Sequence, residues 1–270
     1  MSSGLSYVPA TQARDLLGLR LVLNAGVPGP WSEAAKALFY IKGIPFVPVP
    51  HKGGMPNEEL VAWTGIANAP VAMLDDERPR AHWSEILMLA ERLAPEPRLI
   101  PQDEALRVQV LGLCHEICGE DGLGWNRRLQ LLERSEITAR RKAAEKDPTA
   151  LDRPNVPIAR MRFRYSPNGD LAAAEQRILA ILAHLDAALA ANRAKGADWL
   201  VGERMTAADI YWTAFSNMFV PIPHDRCPMP DFYREAALVQ SAAVSSAVTA
   251  DLLDHRDKVA AICFENPMRF

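Results

Sequence analysis

Cysteine is scarce in this chain of 270 residues, with four in all: Cys114, Cys118, Cys227 and Cys263. Their spacing gives neither a metal-ligand set nor the framework of a small secreted domain, so reduced thiols are expected and no metal is implied. Neither sign of charge is in excess, since 30 Lys and Arg stand against 33 Asp and Glu for a formal net charge of -3. That balance lacks the footprint of a nucleic-acid or anionic-membrane binder. No apolar run reaches spanning length, and residues 1–12 carry neither the basic nor the hydrophobic stretch of an export signal, so a cytoplasmic protein is expected. Also missing are a phosphate-binding glycine loop, a hydrolase nucleophile elbow and any pair of histidines at ligand spacing. What is present, 49% hydrophobic and 23% charged residues, is ordinary for a globular protein of one large or two modest domains.

The first hundred residues alternate in period. The pattern predicts strands at 19–24, 45–49 and 71–74, with a further strand ending near His82, and helices at 32–42, 58–64 and 83–93. Pro95, Pro97 and Pro101 then mark a linker. Beyond it the chain reads as helical, most clearly where Ile178, Ile181, Leu182, Leu185 and Leu189 form an apolar stripe. Residues 135–170 interrupt that pattern with Arg, Lys and Pro. Within them Arg160-Met161-Arg162-Phe163-Arg164-Tyr165 suits a short strand with one basic face, a flap whose guanidinium groups meet an anionic ligand, or a solvated insertion.

Three local features bear on chemistry. Gly29-Pro30-Trp31-Ser32 opens a helix whose Ala34, Ala35, Leu38 and Ile41 share a face and whose end is marked by Lys42-Gly43; Pro30 near its start loses no hydrogen bond. Unpaired N–H groups at such a start favour an anion or a thiolate, although a plain helix start with Ser32 at the surface accounts for the same residues. Cys114 and Cys118 lie four apart beside His115 and Glu116, and without a second ligand pair they read as helix-packing residues. Thr206 and Asp209 are spaced as a capping box, a structural device.

The element order, the proline linker and the run Trp199-Leu200-Val201-Gly202-Glu203-Arg204-Met205-Thr206-Ala207-Ala208-Asp209-Ile210 resemble the cytosolic glutathione transferase superfamily. Gly29-Pro30-Trp31-Ser32 through Lys42-Gly43-Ile44-Pro45-Phe46 is similar to that family's active-site loop and first helix. The resemblance implies an α/β plus all-α protein: a thioredoxin-like glutathione-binding domain over 1–94, then a helical domain over 95–270 with an insertion around 135–170. It implies glutathione as a substrate, held by Gly29, Pro30, Trp31, Ala69, Pro70, Ser84 and Glu85. Pro70 is expected in cis, and Ser84 is expected to cap its helix and receive the γ-glutamyl carboxylate.

The chain departs from the family at two of these positions. Gly29 stands where the loop Cys or Ser would be, which disfavours chemistry through a protein thiolate; Ser32 becomes the candidate catalytic hydroxyl, with Asn24 and the N–H groups of Trp31 and Ser32 as alternatives. Trp83 replaces the acid or amide before Ser84, which leaves Glu85 to meet the γ-glutamyl amine. The implied reaction is attack of the glutathione thiolate on a small apolar electrophile, lodged near Cys114, Cys118 and Trp125, in a homodimeric enzyme. A non-catalytic binding or interaction module on the same fold, and a glutathione-dependent isomerase or dehalogenase, are the alternatives.

Overall fold

The computed structural model describes residues 4–153, 155, 158, 159, 161, 165 and 170–270. Its first half is built on three strands, β1 (Leu19–Asn24), β2 (Val47–His51) and β3 (Val71–Leu74), in the order β2-β1-β3. β1 runs parallel to β2, with Val22 opposite Val49, and antiparallel to β3, with Leu21 opposite Ala72. The two faces of β1 are both apolar. Leu19, Leu21 and Leu23 enter the main core, while Val22 joins Val49, Val71, Met73 and Leu60 in a second cluster on the other face. A central strand covered on both sides reads as a near-continuous hydrophobic run, as this one does.

The helices α1 (Ala10–Ala13), α2 (Pro30–Ile41), α3 (Glu58–Thr64) and α4 (Trp83–Leu93) complete this half. The expected strand ending near His82 is not formed: only Arg80 bridges to Ala72, so the sheet has three strands among the described residues. β2 is shifted two residues beyond its expected bounds and carries Pro48 and Pro50 inside it. An edge strand tolerates proline where the missing N–H would have faced away from its neighbour.

The linker carries no helix or strand, and α2 holds it. Lys42, which closes α2, sends its ammonium to the carbonyls of Ala94 at 2.6 Å and Pro97 at 2.8 Å and to the Glu91 carboxylate at 2.8 Å. Beyond it come α5 (Glu104–Cys118), α6 (Leu123–Ala144), a 3-10 turn (Pro148–Asp152), α7 (Leu171–Arg193), α8 (Ala207–Ser216), α9 (Asp231–Leu238), α10 (Ala242–Ala247) and α11 (Ala250–Cys263). α6 therefore carries the first ten residues of the Arg- and Pro-rich stretch as helix. Arg160, Arg162, Phe163 and Arg164 lie outside the described residues.

One core spans both halves. α2 packs on α8 and α11, and Leu38 and Leu87 share a cluster with Trp212 and Phe215. α8 is buried from end to end, and its start is closed by the expected capping box. Asp209, fully buried, accepts from the Thr206 N–H at 2.7 Å, the Thr206 hydroxyl at 2.9 Å and the Leu200 N–H at 2.8 Å, and meets His255 Nε2 at 2.9 Å. Among the described residues no helix is long and apolar enough to cross a membrane.

Candidate functional site

A cleft of about 250 Å³ opens between the two halves. Its first wall comes from the end of β1, the start of α2, the segment after β2 and the residues before Pro70; its second comes from α6, α9, Met161 and Tyr165. Of the residues expected to hold glutathione, Gly29, Pro30, Trp31 and Ala69 line this cleft. Pro70 is buried behind Ala69, and the peptide bond joining them is cis, as expected.

Gly29 is glycine for a spatial reason. Its φ of -62° is open to any residue. A Cβ built there would stand 2.0 Å from Nδ2 and 3.0 Å from Cγ of Asn24. The carboxamide of Asn24 thus occupies the space that a side chain at position 29 would need.

Asn24 is held in that position from several sides. Its N–H donates to Ser32 Oγ at 3.1 Å, its carbonyl accepts from the Tyr7 hydroxyl at 3.3 Å, and its Oδ1 faces His51 Nδ1 at 3.0 Å. His51 Nε2 in turn meets the Ala67 carbonyl at 3.1 Å. Burial, with a smaller push from the charge of Glu33, drives the Tyr7 phenol well above its usual range, so it remains a neutral donor. Among the described residues Asn24 Nδ2 has no acceptor, and Asn24 lines the cleft.

Ser32, the expected catalytic hydroxyl, is fully buried and does not line the cleft; its oxygen is engaged by Asn24. No side chain caps the start of α2, where Gly29 is the cap residue. Ser84 and Glu85 line a separate shallow groove with Arg78, Arg80 and Arg92. The cap of α4 is His82 rather than Ser84: its Nδ1 accepts the Ser84 N–H at 3.4 Å and meets the Ser84 hydroxyl at 2.7 Å. An imidazole ring in the cap position leaves Ser84 as the second residue of the helix, within its first turn. Glu85 closes the box on the His82 N–H and pairs with Arg78 at 2.7 Å. Burial works against its charge, but Arg78 and the His82 N–H together hold its carboxyl below the usual range.

All four cysteines are buried. Burial pushes the thiols of Cys114 and Cys118 far up and that of Cys227 up to about 11, so none is a ready thiolate. Cys118 still touches the cleft indirectly, because its carbonyl receives the Trp31 indole N–H at 2.9 Å. Among the described residues no group of three or more His, Cys, Asp or Glu could hold a metal.

Sequence reasoning missed Arg128 and Tyr233 on the second wall. Trp125, named as a neighbour of the site, stands three residues before Arg128 on α6, and helical spacing was the available signal for Arg128. Tyr233 lies 105 residues from Arg128, with no local signal to join them.

No protein-family model and no curated protein sequence matches the chain. Solved structures do. A glutathione transferase family member from Pseudomonas fluorescens, solved with two glutathione molecules bound, matches with a TM-score of 0.59 at 15% identity, covering 95% of each chain. A glutathione S-transferase from Methylobacterium radiotolerans in complex with glutathione sulfonate matches at 0.55 with 20% identity, over 90% of each chain. A β-etherase from a Sphingobium strain also matches at 0.55, with 17% identity, over 90% of this chain and all of that one. At these identities the likeness establishes the fold: the chain has the fold of the glutathione S-transferases.

Proposed function

We propose that the cleft binds glutathione against its first wall and that the Asn24 carboxamide, rather than a side chain at position 29, meets the thiol. The observation that carries this reading is the position of Asn24 Nδ2, an N–H donor without an acceptor among the described residues, in the space that glycine leaves open beside the start of α2. A carboxamide N–H and the unpaired N–H groups of a helix start both stabilise a thiolate over a thiol. The bound ligands of the Pseudomonas and Methylobacterium structures support glutathione as the occupant.

The thiol proton leaves to water and the thiolate attacks an electrophilic carbon. A carbon–sulfur bond forms while the leaving group departs with its electron pair. Asn24 lowers the cost of the charged sulfur and the cleft orients the two reactants. Ser32 serves here as the anchor of Asn24, through the hydroxyl that accepts its N–H.

Three measurements test the proposal. Glutathione at millimolar concentration should raise the melting temperature by mass action. Titration of the bound thiolate by its ultraviolet absorbance should give a pKa below that of free glutathione, returning towards it in Asn24→Ala. Conjugation by Asn24→Ala should fall by about a hundredfold, the scale for loss of one donor to a developing anion. Superimposable titration curves for the two proteins would overturn the role of Asn24, and an unshifted melting temperature would overturn glutathione binding.

A further inference from the structure

Helix α6, which supplies part of the second wall, carries two adjacent arginines with opposite surroundings. Arg127 is fully buried and directs its N–H groups to the carbonyls of Met218 at 3.1 Å, Ala237 at 2.8 Å and Val239 at 3.3 Å and to Gln130 Oε1 at 3.1 Å. Burial lowers its pKa to about 10, and its hydrogen bonds account for it as a structural cation tying α6 to the end of α9 and to the segment after α8. Arg128, one residue on, lines the cleft. Its guanidinium donates to the Tyr233 hydroxyl at 3.1 Å, and among the described residues no carboxylate pairs with it. The neighbouring phenols, Tyr233 foremost and then Tyr165, favour its charged form against the cost of burial.

Beside Arg128 the cleft is lined by Met161, Tyr165 and Tyr233, with further rings packed against them. Tyr165 stacks edge-on against Trp125 with ring centroids 4.8 Å apart and lies 6.2 Å from Trp31, itself braced edge-on by Phe215 at 4.8 Å. Among the described residues that line the cleft there is no Asp or Glu. A forked cation with donors to offer, two phenol hydroxyls beside it and flat apolar surface around it are the complement of a carboxylate carried on an aromatic ring.

We propose that Arg128, Tyr165 and Tyr233 form an anion subsite that selects, as the second substrate, an aromatic electrophile bearing a carboxylate. This rests on the reading of the first wall as the glutathione site, and it narrows the small apolar electrophile expected from the sequence to a class with one negative charge. A carboxylate on this wall has two sources, the glycyl end of glutathione and the electrophile. The electrophile is favoured because Arg128 stands on the helical wall, across the cleft from Asn24 and Gly29.

The test compares two unreactive probes of the same shape, para-nitrobenzoate and para-nitrotoluene, titrated into the glutathione-saturated protein. Quenching of tryptophan fluorescence reports binding beside Trp31 and Trp125. The wild type should bind the carboxylate at least about tenfold more tightly, the scale of a charge-assisted hydrogen bond. Arg128→Gln should erase that ratio, and Arg128→Lys should keep part of it. Equal affinities in the wild type would overturn the proposal without need of any variant to fold. It would also be overturned if Arg128→Gln kept the ratio and abolished the glutathione-induced melting shift, which would assign Arg128 to the tripeptide. Failure of the first-wall reading has its own signature: no melting shift with glutathione, whatever the ratio of the probes.

Discussion

Two helices of this protein begin under opposite conditions. The start of α8 is sealed: Asp209 takes three N–H or O–H donors and a histidine, all out of solvent. The start of α2 is open, capped by a glycine with no side-chain hydrogen bond and facing a cleft. A helix start carries up to four orphan N–H groups, and Pro30 removes one of them from α2. The sealed start satisfies them from within the chain and fixes the fold; the open start leaves capacity for something that is not part of the chain. A buried carboxylate with every bond made belongs to the architecture, whereas an amide N–H with no acceptor among the described residues, as at Asn24, is free to meet a ligand.

The largest effect should come from breaking the sealed end. Asp209→Ala strands the Thr206 and Leu200 N–H groups and His255 in a water-free site, and a loss of about 3–5 kcal/mol in urea unfolding is expected. Glutathione affinity per folded molecule should persist. A loss below about 1 kcal/mol, or a stable variant that no longer binds, would erase the contrast between the two helix starts.

An intermediate effect is expected at the open end. Gly29→Ala should push the Asn24 carboxamide aside, since its new methyl would overlap Nδ2. The variant should therefore raise the bound thiol pKa much as Asn24→Ala does, and the double variant should add little. A double-mutant cycle on conjugation rates should show a coupling of at least about 1 kcal/mol. Strict additivity would mean that the two positions act independently.

The smallest effect belongs to a surface ion cluster, which resembles neither end. Hydrogen bonds from Lys258 first and Arg193 second hold the Asp198 carboxyl down to about 2. Its folded pKa lies below the ordinary aspartate value of 3.8, so its stabilisation is present above that value and is lost as pH falls from there to about 2. With the side chain 52% exposed, Asp198→Asn should cost under about 1 kcal/mol near neutral pH, and the difference in melting temperature from wild type should vanish at the acid end of that window.

Much of the architecture was legible because its signals were local. β1, α3, β3 and α4 fall on their expected residues, each set by an apolar period with a turn or cap at its edge. Arg80 misled because one bridge residue in an extended segment has the composition of a strand without the pairing. Within the site, Gly29 to Trp31 and Ala69 could be found from the loop and the Ala-Pro pair. Whether Ser32 or Asn24 faces the cleft could not, since it depends on which way α2 turns its first hydroxyl, and packing against β1 decides that. The division of labour between Arg127 and Arg128 is hidden for the same reason: adjacent helix positions differ by about a quarter-turn, and only the tertiary structure assigns one to the loop carbonyls and the other to the cleft.

The Lys42 ammonium, bonded at once to Ala94, Pro97 and Glu91, has a thermodynamic consequence. A linker free to swivel would let the sheet half and the helical half melt separately, in two calorimetric steps. Here the residue that closes the sheet half's own helix grips the linker, in a core that already runs through both halves, so the linker cannot swivel without stripping a buried cation of its partners. The two halves should lose structure together, in one heat-absorption peak, and Lys42→Met should broaden that peak or split it.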